Sequence, residues 1–161
     1  MKAFQDYYEP QNFAHCFGCG SLNEHGYQIK SFWDGDESVC HFQPKPFHTA
    51  LPGYVYGGLL ASLIDCHGTG TAAAAGYRAE GRSMDSIPNL RYLTASLHID
   101  YLKPTRLGPV LEVRARVKEV TGRKVVIEEW LMAEGIVTVR GEVIAVRVPE
   151  SLIQELLEKA M

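Results

Sequence analysis

The last third of the chain, from Leu93 to Val148, consists of strand-like segments separated by short turns. Apolar and polar residues alternate in "LTASLHIDYL" and again in "VLEVRARVKEV", and "VVIEEWLMA" and "EGIVTVRGEVIAVRV" complete the series. A period of two places apolar side chains on one face of a strand, and short turns join antiparallel neighbours. The sequence therefore predicts four antiparallel strands, the first of them half-buried with one apolar face.

A long helix is predicted before this series. From Gly57 to about Ala75, apolar residues recur near the spacing of one helical face, and the alanines favour helix. Its small residues permit close packing in an interior. Two short strands around the turn Asp34–Asp36 precede it, and a second helix begins near Pro149. This order predicts an α+β fold, with one antiparallel sheet wrapped around the long helix and a short C-terminal helix.

The composition is that of an ordinary soluble protein of one domain. The 161 residues are 46% hydrophobic and 22% charged, with a formal net charge of −3, so a nucleic-acid partner is not expected. The longest weakly polar run, Val55–Gly76, contains an aspartate and several glycines and makes a poor membrane span. The N-terminus lacks the apolar core of a signal peptide. Four cysteines are few for a disulfide-stapled scaffold, so we expect a cytoplasmic location.

The helix entrance and the strand after the following loop carry a familiar pattern. "GYVYGGLLASLID" and "LTASLHIDYLKPTRLG", in this order, resemble the hotdog-fold acyl-CoA thioesterases of the phenylacetate-catabolism type. The resemblance covers residues 26–148, which we take as a hotdog thioesterase domain. Residues 1–25 then form an N-terminal arm, and residues 149–161 form the C-terminal helix.

The resemblance assigns positions at the helix entrance. In that family the entrance usually reads His-Gly-Gly, and Asp or Glu follows on the helix. Gly57, Gly58 and Asp65 occupy these positions, whereas Tyr56 stands where the His is expected. The family also has Ser or Thr near the start of the strand after the loop, and Thr94 matches it.

These residues suit thioester hydrolysis, which needs hydrogen-bond donors at the carbonyl oxygen and a carboxylate that attacks the carbonyl or activates water. The resemblance implies that the amides of Gly57 and Gly58, at a helix N-terminus, form the oxyanion hole. Asp65 is then general base or nucleophile, and Thr94 holds the water or orients the carboxylate. The plainer alternatives are a tight corner at the glycines, a surface acid at Asp65 and a solvent-facing Thr94.

Asp65 and the glycine pair lie far apart along the helix. The eight residues from Gly57 to Asp65 rise about 12 Å along an α-helix, too far for the glycine pair and Asp65 of one chain to hold the same carbonyl. We therefore expect a site shared between two chains, in a homodimer or a dimer of dimers. The family resemblance implies the same arrangement.

Four further residues are candidate contacts to an acyl-CoA substrate. His48 lies near the expected mouth of the site, Tyr56 lies beside the glycines, and Arg91 and Arg106 belong to loops that would form a basic rim for the CoA phosphates. Simple packing of Tyr56 and simple solvation of the arginines are the alternatives. No cofactor is expected.

The pair Cys16 and Cys19, in "CFGC" with two histidines nearby, raises the hypothesis of a zinc site. A single Cys-x-x-Cys without a second pair is weak evidence. Related thioesterases often carry a similar Cys-Phe-x-Cys-Gly stretch as a structural arm. We therefore predict no metal site.

Two other functions stay open beside acyl-CoA hydrolysis. Hotdog hydratases and dehydratases act on acyl thioesters and generally pair a His with a carboxylate, so Tyr56 argues against them. A non-catalytic acyl-CoA-binding protein is favoured by Tyr56 and by Ala50, which stands where the family often has Asn. Hydrolysis of an acyl-CoA is the preferred prediction.

Overall fold

The computed structural model describes residues 1–9 and 13–159. Within these ranges it contains six strands and two α-helices, preceded by a short 3₁₀ helix at Phe4–Tyr7. In chain order the elements are β1 (Ser31–Asp34), β2 (Glu37–Phe42), α1 (Gly57–Ala79), β3 (Tyr92–Tyr101), β4 (Leu111–Thr121), β5 (Lys124–Ala133), β6 (Ile136–Arg147) and α2 (Glu150–Lys159).

The six strands form one antiparallel sheet in the order β1-β2-β4-β5-β6-β3. Short turns join β1 to β2, β4 to β5 and β5 to β6, which makes these neighbours antiparallel. Helix α1 contacts all six strands. The predicted α+β fold, with an antiparallel sheet around a long central helix and a short C-terminal helix, is confirmed.

The core lies between α1 and one face of the sheet. Leu63 of α1, Val113 of β4 and Ile127 of β5 have no exposed surface. Burying a side chain of this size contributes about 1.5–3 kcal/mol. Small residues let the helix approach the sheet closely: at Gly68, a Cβ atom would overlap the carboxyl group of Glu129 on β5.

Helix α1 continues beyond its predicted end at Ala75 and finishes at Ala79. Tyr77 accounts for the extension because its side chain is buried and its hydroxyl accepts a hydrogen bond of 2.8 Å from the N–H of Leu90. Periodicity does not reveal this contact, since Leu90 belongs to the loop that follows the helix.

Strand β3 differs from the sequence prediction of a half-buried strand. In the described chain it is an edge strand paired with β6 alone, and most of its residues are exposed. Leu93, Leu97 and Tyr101 are 64%, 39% and 54% exposed. A bulge between Thr94 and Ser96 puts Leu93 on the opposite face of the strand from Leu97 and Tyr101. The bulge interrupts the predicted alternation, and the chain covers the helix-facing side of β3 only in part. An edge strand also presents unpaired backbone N–H and C=O groups to a further strand.

The N-terminal arm packs against the rest of the fold. Phe4 is buried. The side chain of Gln5 donates a hydrogen bond of 3.1 Å to the Ser31 hydroxyl and accepts one of 2.8 Å from the Ser31 N–H. Parts of the predicted arm and C-terminal helix, residues 10–12 and 160–161, lie outside the described ranges. Neither described helix is apolar enough over a sufficient length to cross a membrane.

Candidate active site

Asp65 lies on α1, about two turns after the helix begins, and is half-buried. The hydroxyl of Thr94, on β3, donates a hydrogen bond of 2.5 Å to Asp65 Oδ1. Thr69, one turn further along α1, donates its hydroxyl to the backbone carbonyl of Asp65 and does not compete for the carboxylate. No hydrogen bond from the described residues reaches Oδ2. The fold thus brings two of the predicted site residues together and leaves one carboxylate oxygen free.

Asp65 and Thr94 lie in the wall of a cavity of about 300 Å³. Helix α2 supplies much of the apolar wall through Leu152, Ile153 and Leu156. The sequence predicts this helix and its apolar face. An amphipathic pattern does not say which surface that face covers, so the position of α2 beside Asp65 is not predicted.

Arg91, a predicted substrate contact, lies in the same cavity wall. Its guanidinium stacks 4.6 Å from the ring centroid of Tyr8 and 4.7 Å from that of Phe13. Nη1 donates a hydrogen bond of 3.0 Å to the carbonyl of Leu90, whereas Nε and Nη2 have no partner among the described residues. Burial lowers the pKa of this guanidinium. A cation with unpaired donors near Asp65 favours negative charge in the cavity.

The helix entrance is formed by Tyr56, Gly57 and Gly58. Tyr56 is the N-cap residue, and its carbonyl accepts hydrogen bonds from the N–H groups of Leu59 and Leu60. In the described part of the chain, the N–H groups of Gly57 and Gly58 have no acceptor, as is usual in the first turn of a helix. The Tyr56 ring is 56% exposed and lies across Gly58 so closely that a Cβ there would overlap it.

Gly57 and Asp65 border different cavities. Gly57 borders a cavity of about 450 Å³ together with Tyr101, whose hydroxyl donates a hydrogen bond of 2.8 Å to the Gly57 carbonyl. Asp65 and Thr94 do not line that cavity. A single chain therefore does not bring the predicted oxyanion donors to the predicted carboxylate, as expected from the length of helix between them.

His48 lies away from Asp65, in an aromatic cluster. Its ring packs against Phe42 and Phe47, with centroids 5.7 Å and 4.7 Å away. Its Nδ1 accepts a hydrogen bond of 3.1 Å from the N–H of Lys45. Burial and the Lys45 charge lower the pKa of this imidazole, which favours the neutral ring. The contact between His48 and substrate stays a prediction.

Arg106 is exposed, on the side of the molecule that carries the helix entrance. Its backbone pairs with that of Tyr54, which borders the same cavity as Gly57. Of the four predicted substrate contacts, this chain places Arg91 in the wall of the cavity that Asp65 also lines, and Tyr56 beside Gly58.

Three thiols gather in the wall of the Asp65 cavity, those of Cys16, Cys19 and Cys66. Their Sγ atoms all lie within 4.8 Å of one another, and those of Cys16 and Cys66 are 3.8 Å apart. Hydrogen bonds among the thiols lower the pKa of Cys16 and raise that of Cys19. The prediction of no metal site assumed an isolated Cys-x-x-Cys pair. The signal that was missed is the position of Cys66, directly after Asp65.

Glu129, on β5, is a buried acid that sequence reasoning did not single out. It is 1% exposed, and neither carboxyl oxygen has a hydrogen-bond partner within the described ranges. Burial and the charge of Asp65 raise its pKa well above the ordinary value, which favours the neutral acid. The run "VVIEEWLMA" holds two adjacent glutamates, and its irregular pattern does not show which of them faces the core.

The family of the chain is shown by its sequence. Residues 52–139, more than half of the chain, match the profile of the thioesterase superfamily. The chain therefore belongs to the thioesterase superfamily, and its fold is the hotdog fold of solved thioesterase structures.

Named relatives include "Acyl-coenzyme A thioesterase THEM4" from Xenopus laevis, which is 34% identical over 102 residues. That match covers 62% of this chain but 40% of the relative, so the chain spans less than half of this curated relative's length.

Among solved structures, a thioesterase superfamily protein from Shewanella loihica PV-4 is 51% identical with a TM-score of 0.64, covering 79% of this chain and 96% of that one. A hypothetical thioesterase from Streptococcus pneumoniae TIGR4, solved with coenzyme A, is 18% identical with a TM-score of 0.61, covering 78% and 90%. This second likeness shows the fold alone.

Proposed function

We propose that this protein hydrolyses an acyl-CoA thioester to the free acid and CoA. The observation that carries the proposal is the hydrogen bond from Thr94 to Asp65 in a cavity wall. A carboxylate held at a cavity wall, with one oxygen free, suits the base or nucleophile of thioester hydrolysis. Membership of the thioesterase superfamily and the names of the acyl-CoA thioesterase relatives support the same reaction.

Asp65 acts on the carbonyl carbon through water or directly. As a general base, its free Oδ2 takes a proton from a water molecule whose oxygen bonds to the carbonyl carbon. The bond from that carbon to sulfur then breaks, and the CoA thiolate takes the proton back. As a nucleophile, the carboxylate displaces the CoA thiolate to form a mixed anhydride, which water cleaves. In both routes Thr94 orients the carboxylate.

The oxyanion donors in this proposal are the amides of Gly57 and Gly58 from a second subunit. Within one chain Gly57 borders a different cavity from Asp65, and Gly58 does not line the Asp65 cavity, so a complete site needs another chain. The exposed edge of β3, which carries Thr94, supports pairing with a second copy there. We therefore propose a homodimer with shared sites, which a dimer of dimers would also preserve.

The substrate contacts fall on two sides of this shared site. Arg91 binds a negatively charged or polar group of the substrate from the Asp65 side, supported by its buried guanidinium with unpaired donors. Tyr56, Arg106 and His48 contact the substrate from the glycine side, where the exposed Arg106 suits a CoA phosphate.

Thiol release from a panel of aromatic, short-chain and medium-chain acyl-CoA thioesters tests the proposal. Asp65→Asn should lower the rate by about 10²–10⁴-fold because the amide is neither base nor nucleophile. Asp36→Asn, at an exposed turn residue, is the matched control and should keep full activity. Circular dichroism should show all three proteins folded. Equal thiol release by Asp65→Asn and the wild type would overturn the role of Asp65.

A non-catalytic acyl-CoA-binding protein is the second candidate. The Tyr56 ring lying across Gly58 favours it, because the ring crowds the amide that would polarise the carbonyl. Tight binding of every acyl-CoA in the panel with no turnover would establish this alternative. The described residues that line the Asp65 cavity include no histidine, which counts against a hydratase or dehydratase. Hydration of crotonyl-CoA would reveal that activity.

A further inference from the structure

The thiols of Cys16, Cys19 and Cys66 have the spacing of metal ligands. In a tetrahedral zinc site with Zn–S bonds of about 2.3 Å, two ligand sulfurs lie about 3.8 Å apart. The Cys16 and Cys66 sulfurs are 3.8 Å apart, and the three sulfurs lie within 4.8 Å of one another. One ion can therefore contact all three sulfurs after small side-chain adjustments.

The arm forms a tight turn that presents Cys16 and Cys19 on the same side. The N–H of Gly20 donates a hydrogen bond of 2.7 Å to the Cys16 carbonyl, which closes the turn. The Gly18 carbonyl accepts a hydrogen bond of 3.2 Å from the N–H of Ile29, which fixes the turn against the chain leading into β1. The two sulfurs are thus preorganised by backbone contacts.

Glycine at position 18 lets the third sulfur reach this turn. A Cβ atom there would overlap Cys66 Sγ and would also lie 3.2 Å from Cys66 Cβ. Cys66 itself is held on α1, whose position is set by the core. The turn and the helix therefore meet where the three sulfurs converge, although Cys16 and Cys66 are far apart in sequence.

We propose that Cys16, Cys19 and Cys66 bind one Zn²⁺ ion through their thiolates. Soft thiolate ligands select zinc over magnesium or calcium. Within the described ranges, no fourth histidine, cysteine or carboxylate joins the cluster, and the three residues line the Asp65 cavity. The described residues thus supply three protein ligands, which would leave the fourth coordination position of the ion to water. Arg91, in the same wall, offsets the negative charge of the three thiolates.

The site couples the arm to the helix that carries Asp65. Cys16 is exposed and gives the ion a path from solvent, whereas Cys19 and Cys66 are buried. Bound zinc would fix the arm one residue away from Asp65 and so stabilise one wall of the cavity. A disulfide between two of the sulfurs is the main rival, and it would leave the third thiol free.

The full chain, purified without a histidine tag and without chelator, tests the site by elemental analysis. We expect roughly one zinc per chain in the wild type. Cys66→Ser and Cys16→Ser should lose it, because each removes one of three ligands. Cys40→Ala, at a buried cysteine of β2 outside the cluster, is the matched control and should keep it. Zinc retained in full by Cys66→Ser would overturn the proposal.

The wild type alone gives a second readout, which does not depend on whether the variants fold. Exchange of the metal for Co²⁺ should produce thiolate-to-cobalt charge-transfer absorption and the visible bands of a tetrahedral ion. Wild-type protein that binds neither Zn²⁺ nor Co²⁺ overturns the site, whether its thiols titrate as free or mass spectrometry shows a disulfide. Metal content is measured without substrate, so failure here is distinct from failure of the proposed hydrolysis.

Discussion

The Thr94 hydroxyl donates a hydrogen bond of 2.5 Å to Asp65 Oδ1 and joins the edge strand to the central helix. A threonine hydroxyl has one proton to donate, so this bond directs Oδ1 toward β3. Oδ2 is then the oxygen available for water or substrate. The two residues therefore act as one unit in the proposed hydrolysis.

Thr94→Val should lower kcat while the protein stays folded. A hydrogen bond to a charged group contributes about 1.5–3 kcal/mol, which corresponds to a roughly 10- to 100-fold loss of rate if the bond is needed to orient Asp65. Steady-state thiol release measures the effect. Thr94→Ser keeps the hydroxyl and should retain most of the activity. If Thr94→Val and Thr94→Ser have the same kcat, the hydrogen bond does not orient the carboxylate.

A shared site predicts complementation between two inactive variants. Gly58→Val blocks approach to the helix entrance, and Asp65→Asn removes the carboxylate. In a mixed dimer, one site combines both intact residues and the other combines both defects. Random mixing by co-expression should therefore restore about a quarter of wild-type activity.

The control for this experiment is a mixture of the two separately purified proteins kept under conditions that prevent subunit exchange, which should stay inactive. Sites contained within one chain predict no recovery in either mixture. That outcome would contradict the shared site while leaving hydrolysis itself untouched.

Leu97→Arg should dissociate the proposed dimer. Leu97 lies on β3 and is 39% exposed, and a charge at a paired strand edge would be desolvated without a partner. Sedimentation equilibrium should show a shift toward monomer, with a parallel loss of activity. Val120→Arg, at a 46% exposed residue of β4, is the matched control and should leave the mass unchanged. A Leu97→Arg protein that keeps the wild-type mass excludes β3 from the interface.

Strands β4, β5 and β6 and the central helix follow from local patterns, because each has an apolar pattern that matches its burial. The exposure of β3 does not follow, since the alternation from Leu93 to Tyr101 indicates an apolar face without showing whether the rest of the chain covers it or that a bulge interrupts it. The pair of Asp65 and Thr94 was predicted together through the family resemblance. The contact between Cys66 and Cys16 was not predicted, because it depends on how the arm folds over α1.

Glu129 makes stability depend on pH in a defined direction. Burial and the charge of Asp65 raise its pKa in the folded protein, and Glu129 in turn contributes to the raised pKa of the buried Cys40 thiol. Above the ordinary value of 4.5, the unfolded chain releases this proton while the folded protein keeps it. The free energy of unfolding should therefore fall as pH rises, by about 1.4 kcal/mol per pH unit, until the folded-state pKa is reached.

Glu129→Gln removes this dependence because the amide has nearly the same shape and does not ionise. At a fixed protein concentration, urea unfolding should give a higher free energy of unfolding for Glu129→Gln than for the wild type at pH 7. The difference should shrink as pH falls through 4.5, because below that value the glutamate is protonated in the unfolded chain as well as in the folded protein. Glu128→Gln, at the exposed neighbour on β5, is the control. Its free energy of unfolding should have the same pH dependence as that of the wild type. If the free energy of unfolding of Glu129→Gln has the same pH dependence as that of the wild type, Glu129 is ionised in the folded protein.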